Sequence, residues 1–185
     1  TSMAAPHVTG AVAQLLDATA IDANPDTPGL AGRPDAVKAL LRAAAVPILG
    51  PFAQPDDEVG AGRLDAWKLV ADQDTSDGWR RGIFLGPALQ NVNDTDTFIL
   101  NVPADADRVA VVLAWTEDAA ASGACGAVSN NLDLEVFDSA GTLVGQSATT
   151  VDNVETVIVP GPAQGAAADG TWTVRVAASA LPAGA

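Results

Sequence analysis

The spacing of apolar residues changes near residues 72–79, and no single regular architecture accommodates both spacings. Up to that point the chain has helical period. From Met3 the residues Val8, Ala11, Val12, Leu15 and Leu16 recur at three- and four-residue intervals on one face. Gly10 lies in this run, where a missing side chain allows close backbone approach. The Pro-, Gly- and Asn-containing stretch 22–29 reads as a loop. A second helix is expected from Pro34 to about Ala45, with Pro34 in its first turn and Val37, Leu40 and Leu41 as its stripe. Gly60-Ala-Gly62 leads into a third, short helix carrying Leu64, Ala66, Trp67, Leu69 and Val70.

Beyond the polar segment 73–78, read as a linker, the period is two. Phe98, Leu100 and Val102 alternate with Thr97, Ile99 and Asn101, and Leu132, Leu134 and Val136 with Asn131, Asp133 and Glu135. Val109–Trp115 is a near-continuous β-branched run, as in a sandwich core. Residues 154–159 and 172–177 repeat the pattern, and Asp138-Ser-Ala-Gly141 is a hairpin turn signal. The Ala-rich stretches 119–127 and 163–168 are read as loops. Five to eight strands predict an antiparallel sandwich or jelly roll over residues 79–185.

Composition narrows the partners. With 23 acidic and 9 basic side chains among 185 residues, the formal net charge is −14. The acids are spread evenly, 11 against 5 bases up to residue 78 and 12 against 4 beyond it. Such a surface disfavours nucleic acid and anionic membrane, and Arg80-Arg81 is too short for a phosphate-binding patch. No apolar run approaches the roughly 20 residues that span a bilayer. One Cys excludes an internal disulfide, and no Cys/His spacing matches a zinc site.

The octapeptide Thr1-Ser2-Met3-Ala4-Ala5-Pro6-His7-Val8 resembles the active-site serine motif of the subtilisin-like serine proteases, Gly-Thr-Ser-Met-Ala-x-Pro-His-Val, lacking only the leading Gly. Alone, Thr1-Ser2 would be an ordinary helix N-cap pair; the composition of all eight positions sets it apart. By this resemblance Ser2 is the nucleophile. A serine at a helix N-terminus meets unpaired N–H groups and the positive end of the macrodipole. Its own backbone N–H can then donate to the oxyanion formed on attack at a peptide carbonyl. Pro6 cannot donate back to the Ser2 carbonyl, which holds the first turn open.

His7 is excluded as the base. Five residues along a helix amount to about 140° of net rotation and roughly 7.5 Å of rise, beyond reach of the Ser2 hydroxyl. The family treats this histidine as structural. It is the only His in the chain, so the base and its orienting carboxylate are expected upstream of Thr1, and the chain alone is expected to be inactive.

The resemblance extends through Val59-Gly-Ala-Gly-Arg-Leu-Asp-Ala66, which looks like the end of a subtilisin-like catalytic domain. It implies that residues 1–72 are the helical C-terminal remnant of an α/β domain, with apolar surface left uncovered. It also implies that residues 79–185 are the jelly-roll-like sandwich some secreted members carry, on the residues Val112–Thr116, Asn130–Val136, Asp152–Glu155 and Thr171–Val176. The implied protein is secreted and cleaves protein or peptide substrates, and its chemistry requires no cofactor. Two alternatives are a free-standing extracellular binding or adhesion module at 79–185, and an N-terminal nucleophile at Thr1 using its own α-amino group.

Three weaker signals remain. Asn131, Asp133 and Glu135, with Asp152, Asn153 and Glu155, are oxygen-rich and suit a structural calcium; the competing reading is the wet face of each strand. Cys125 reads as a free thiol or the partner of a Cys elsewhere. Trp79, Trp115 and Trp172 would form a sugar-stacking platform or, by their strand positions, pack in the core.

Overall fold

A computed structural model describes residues 3–21, 30, 32–71, 73–74, 79–80, 82–84, 86, 89–117 and 128–181. The chain is a mixed fold: helices come first and antiparallel sheets follow. Two compact units emerge, Thr1–Pro51 with Pro55–Ile83, and Phe52–Gln54 with Phe84–Ala185.

In the first unit α1 (Ala4–Ile21), α2 (Pro34–Ala44) and α3 (Ala66–Val70) surround a core of Ala11, Leu15, Leu30, Ala36, Leu40, Ala44 and Leu69. The four-residue step from Ala11 to Leu15 places both on one ridge of α1, and both are buried. Helix α2 starts at the expected proline, with Asp35 in its first turn and Arg42 in its last, each matched to the macrodipole. Asp65 caps α3 by accepting from the Lys68 N–H at 3.1 Å. The helix therefore begins after Leu64, which the apolar pattern had placed within it. Gly62 has φ 111°, and a Cβ there would lie 2.2 Å from the Val46 carbonyl oxygen. Only glycine lets that backbone close the Val46–Arg63 bridge.

The expected linker 73–78 opens with β1 (Gln73–Asp74), which pairs antiparallel with β2 (Trp79–Arg80) just beyond it; residues 75–78 lie outside the described residues. The first compact unit runs on to Ile83, and the second resumes at Phe84. Ile83 packs against the helical core, which keeps the chain with the first unit beyond the change of period.

The second unit holds β3 (Thr95–Val102), β4 (Arg108–Ala114), β5 (Asn131–Phe137), β6 (Leu143–Ser147), β7 (Val154–Pro160) and β8 (Gly170–Ala180). One sheet runs β3-β8-β5-β6 and the other pairs β4 with β7; every pairing is antiparallel. Leu134, Val136, Trp172, Val174 and Val176 of the larger sheet share a core with Val109, Val157 and Val159 of the smaller one, the arrangement of a β-sandwich. These are alternate residues along their strands, so the two-residue period is what builds this core. On the opposite face of the larger sheet Glu135 pairs with Arg175 across β5 and β8. The Arg175 guanidinium also lies 5.4 Å from the centroid of the Phe137 ring.

The hairpin between β5 and β6 closes where the Asp-Ser-Ala-Gly signal places it. Gly141 supplies φ 78°, which the turn requires. Asp138 is buried, and its carboxylate accepts the N–H groups of Ala168 at 3.1 Å, Thr142 at 2.8 Å and Ala140 at 3.0 Å. The Ala168 N–H foremost, then that of Thr142, holds this carboxyl below the usual carboxylate range. Because the native value is depressed, the stabilisation is fully present above the unfolded value of about 3.9 and is lost as pH falls through the lower native value. Urea midpoints from pH 6 to 3 should show wild type and Asp138→Asn converging as the pH drops. A constant gap would mean that this carboxylate is not linked to folding.

Candidate functional site

The motif at the start of the chain opens α1. Thr1 and Ser2, the nucleophile expected by resemblance, lie outside the described residues; the structure begins at Met3. From Met3 to Gly10 every residue is exposed, and Met3 retains 75% of its surface. Val8 is exposed, and burial starts one turn later at Ala11. Among the described residues nothing lies within 4 Å of where a Cβ at Gly10 would sit.

The His7 ring turns back along its own helix, its Nδ1 lying 2.6 Å from the Met3 carbonyl oxygen. A carbonyl only accepts, so Nδ1 carries the proton and donates. The Thr9 hydroxyl makes the equivalent bond to the Ala5 carbonyl at 3.0 Å. Both polar side chains of this stretch therefore bond to carbonyls of their own helix. No acidic residue occupies the first turn of α1, so nothing on the helix offsets the positive end of an 18-residue dipole. What such an end does chemically is favour negative charge beside its first N–H groups. Farther along, Val12, Leu16, Leu30, Val37 and Leu41 line an open apolar groove of about 460 Å³. Ile48, Leu49 and Trp67 are also largely exposed.

The oxygen-rich residues of the sandwich separate into different surroundings. Asn131 donates to the Ser179 hydroxyl at 2.5 Å, and that hydroxyl donates to Asp133 at 3.0 Å. Glu135 is occupied by Arg175. Asn153 donates its side-chain amide to the Trp115 carbonyl at 2.8 Å while its own carbonyl accepts the Trp115 N–H at 3.3 Å, tying the ends of β4 and β7 together. Glu155 is not on a wet face with Asp152 and Asn153. It shares its strand face with Val157 and Val159 and is fully buried, because side chains two apart on a strand point the same way. Its carboxylate accepts the Thr149 N–H at 2.8 Å, the Thr149 hydroxyl at 2.9 Å and the Ser147 hydroxyl. Among the described residues no three His, Cys, Asp or Glu side chains stand close enough to hold a metal ion.

Trp172 and Trp115 are buried, as their strand positions imply, and are unavailable for stacking a sugar. The Trp172 indole donates to the Ala168 carbonyl at 2.7 Å. Trp115 donates to Glu117 at 2.5 Å, and Glu117 also accepts the backbone N–H groups of Ser129 at 3.0 Å and Asn130 at 3.2 Å. That carboxylate joins the end of β4 to the approach to β5. Sequence reading had no signal for it beyond an acid two residues after a strand tryptophan. Cys125, Arg81 and the side chains of Trp79 and Arg80 lie outside the described residues. Among the described residues no helix is long and apolar enough to cross a membrane. No family model matches the chain.

Proposed function

We propose that this chain is the serine-bearing C-terminal part of a secreted subtilisin-like serine endopeptidase, followed by a jelly-roll-like sandwich. In this reading Ser2 attacks the carbonyl of a protein or peptide substrate, and its backbone N–H receives the oxyanion. A His–Asp pair from the upstream part of the catalytic domain takes up the serine proton. The observation that carries the reading is the octapeptide Thr1–Val8 at the mouth of α1, a helix with no acid in its first turn. The exposed apolar residues of the first unit add support, since an α/β domain would cover them with the sheet that precedes the serine helix.

The chemistry needs no cofactor. A structural calcium carries no ligand assignment: Glu135 is paired with Arg175, Glu155 accepts from Ser147 and Thr149, and Asp133 accepts the Ser179 hydroxyl.

The test joins the coding sequence 5′ of the Thr1 codon to the chain and assays hydrolysis of a denatured protein. An upstream frame with Asp-Thr/Ser-Gly and His-Gly-Thr motifs is expected, with turnover falling about a millionfold in Ser2→Ala and absent from the 185-residue chain. Hydrolysis indifferent to Ser2→Ala, or an upstream frame without those motifs, overturns the reading in favour of the binding module. Melting the same preparations in calcium and in EDTA decides the metal: equal midpoints remove it.

A further inference from the structure

Of the seven asparagines in the chain, only Asn93 is followed two positions later by a hydroxyl residue, in Asn93-Asp-Thr95, with no proline between or directly after. Asn-x-Ser/Thr is the acceptor signature of N-linked glycosylation, which needs an amide nitrogen as nucleophile and a hydroxyl two residues on. Three residues in such a pattern also arise by chance, and a glycan is bulky. The fold therefore decides whether the position can carry one.

The turn that leads into β3 meets that demand. It closes with the Asp94 N–H on the Asn91 carbonyl at 3.0 Å. Asn93 has φ 75°, the left-handed conformation that asparagine tolerates and most residues avoid. Its backbone N–H donates to the Ala178 carbonyl at 2.8 Å, and the Ala178 N–H donates to the Asp94 carbonyl at 3.0 Å. The main chain thus pins the turn to β8, and the side chains divide. The Asp94 carboxylate is occupied within the loop, accepting the Gln90 N–H at 3.1 Å, the Asn91 N–H at 2.8 Å and the Asn91 amide at 3.1 Å. Asn93 and Thr95 are both exposed, and among the described residues nothing bonds to the Asn93 amide or the Thr95 hydroxyl. A free amide on a pinned, exposed turn can carry a large polar group without moving the strands behind it.

We propose that Asn93 is an N-glycosylation site whose co-substrate is a lipid-linked oligosaccharide. The Asn93 Nδ2 attacks the anomeric carbon of the sugar, and the new N–C bond forms as the C–O bond to the lipid diphosphate breaks. The diphosphate leaves with the bonding pair, and the amide gives up one proton. The glycan stands at the start of β3, an outer strand of the larger sheet, beside the exposed Val92. A bulky polar group there screens a strand edge and an apolar side chain from other chains. The inference rests on the secretion in the reading above and not on Ser2.

The experiment sends the whole chain through the secretory route of a eukaryotic host behind a leader that the host supplies. Wild type is compared with Thr95→Ala, which keeps Asn93 and removes the exposed hydroxyl. Intact mass is read in the medium and in the membrane fraction. Wild type is expected to gain the mass of a single glycan, lost on treatment with peptide N-glycosidase, and Thr95→Ala to gain none. The glycan-bearing chain should then unfold in urea at a midpoint no lower than the enzyme-released chain, as an exposed site implies. Wild type without the glycan, a gain that survives Thr95→Ala, or a lower midpoint for the glycan-bearing chain each overturns the proposal. None of these outcomes bears on Ser2, whose test is hydrolysis.

Discussion

Trp172→Ala is expected to lower the unfolding free energy of the sandwich by about 4 kcal/mol. The indole is completely buried and stands opposite Leu100 of β3, in the core that Leu134 and Val136 share with Val157 and Val159. Truncation leaves a cavity at the centre of a two-layer core, where neither sheet can shift without breaking strand pairs. It also strips the Ala168 carbonyl of its indole donor, beside the N–H that Asp138 holds. Trp172→Phe separates the two losses. It retains most of the buried area and forfeits the bond, so about 1–2 kcal/mol is expected. The measurement is urea unfolding followed by a β-sheet signal for the second unit, since a chain of two units need not unfold in one step. A cost under about 1 kcal/mol for the alanine variant would mean that the core closes over the gap.

Glu155→Ala should cost about 3 kcal/mol in the same assay, a large figure for removing one acid from a very acidic chain. Among the described residues the partners of this carboxylate are two hydroxyls and one backbone N–H, with no cation. Truncation leaves a cavity where the fully buried side chain stood and frees its donors, of which Ser147 is half-buried and Thr149 exposed. The lost packing and the lost bonds, and not stranded donors, make up the effect. Glu155→Gln keeps the shape but turns one acceptor into a donor facing other donors, so an intermediate loss is expected, about half as great. Equal stability of Glu155→Gln and wild type would show that a neutral side chain serves as well there.

These two residues also show why legibility differed along the chain. Trp172 was placed correctly because a strand of alternating apolar residues has one inward face, and the tryptophan lies in phase with Val174 and Val176. Glu155 has the same phase relation to Val157 and Val159, yet a charge in a strand pattern reads as wet face. Its donors come from Ser147 and Thr149, across a turn whose geometry no local pattern specifies. Helix α2 was legible because Pro34 fixes its start, and the β5–β6 turn because Asp138 and Gly141 carry their own conformational demands. The bond from the Gln54 amide to the Ile158 carbonyl was invisible for a plainer reason: its two ends are 104 residues apart. In the candidate site, composition identifies the motif, and the exposed first turns of α1 show what periodicity alone could not. An apolar residue such as Val8 is on a helix face whether or not anything covers it.

The distribution of indoles has an optical consequence. The chain has no tyrosine, so its near-ultraviolet emission belongs to tryptophan. Trp67, on α3 of the first unit, is 65% exposed and emits from a water-relaxed environment, while Trp172 is sealed in the second unit and emits to the blue. Melting of the sandwich moves the blue component towards the red and leaves the component already in water where it was. Among the described indoles the blue component therefore reports on the second unit, without any label attached.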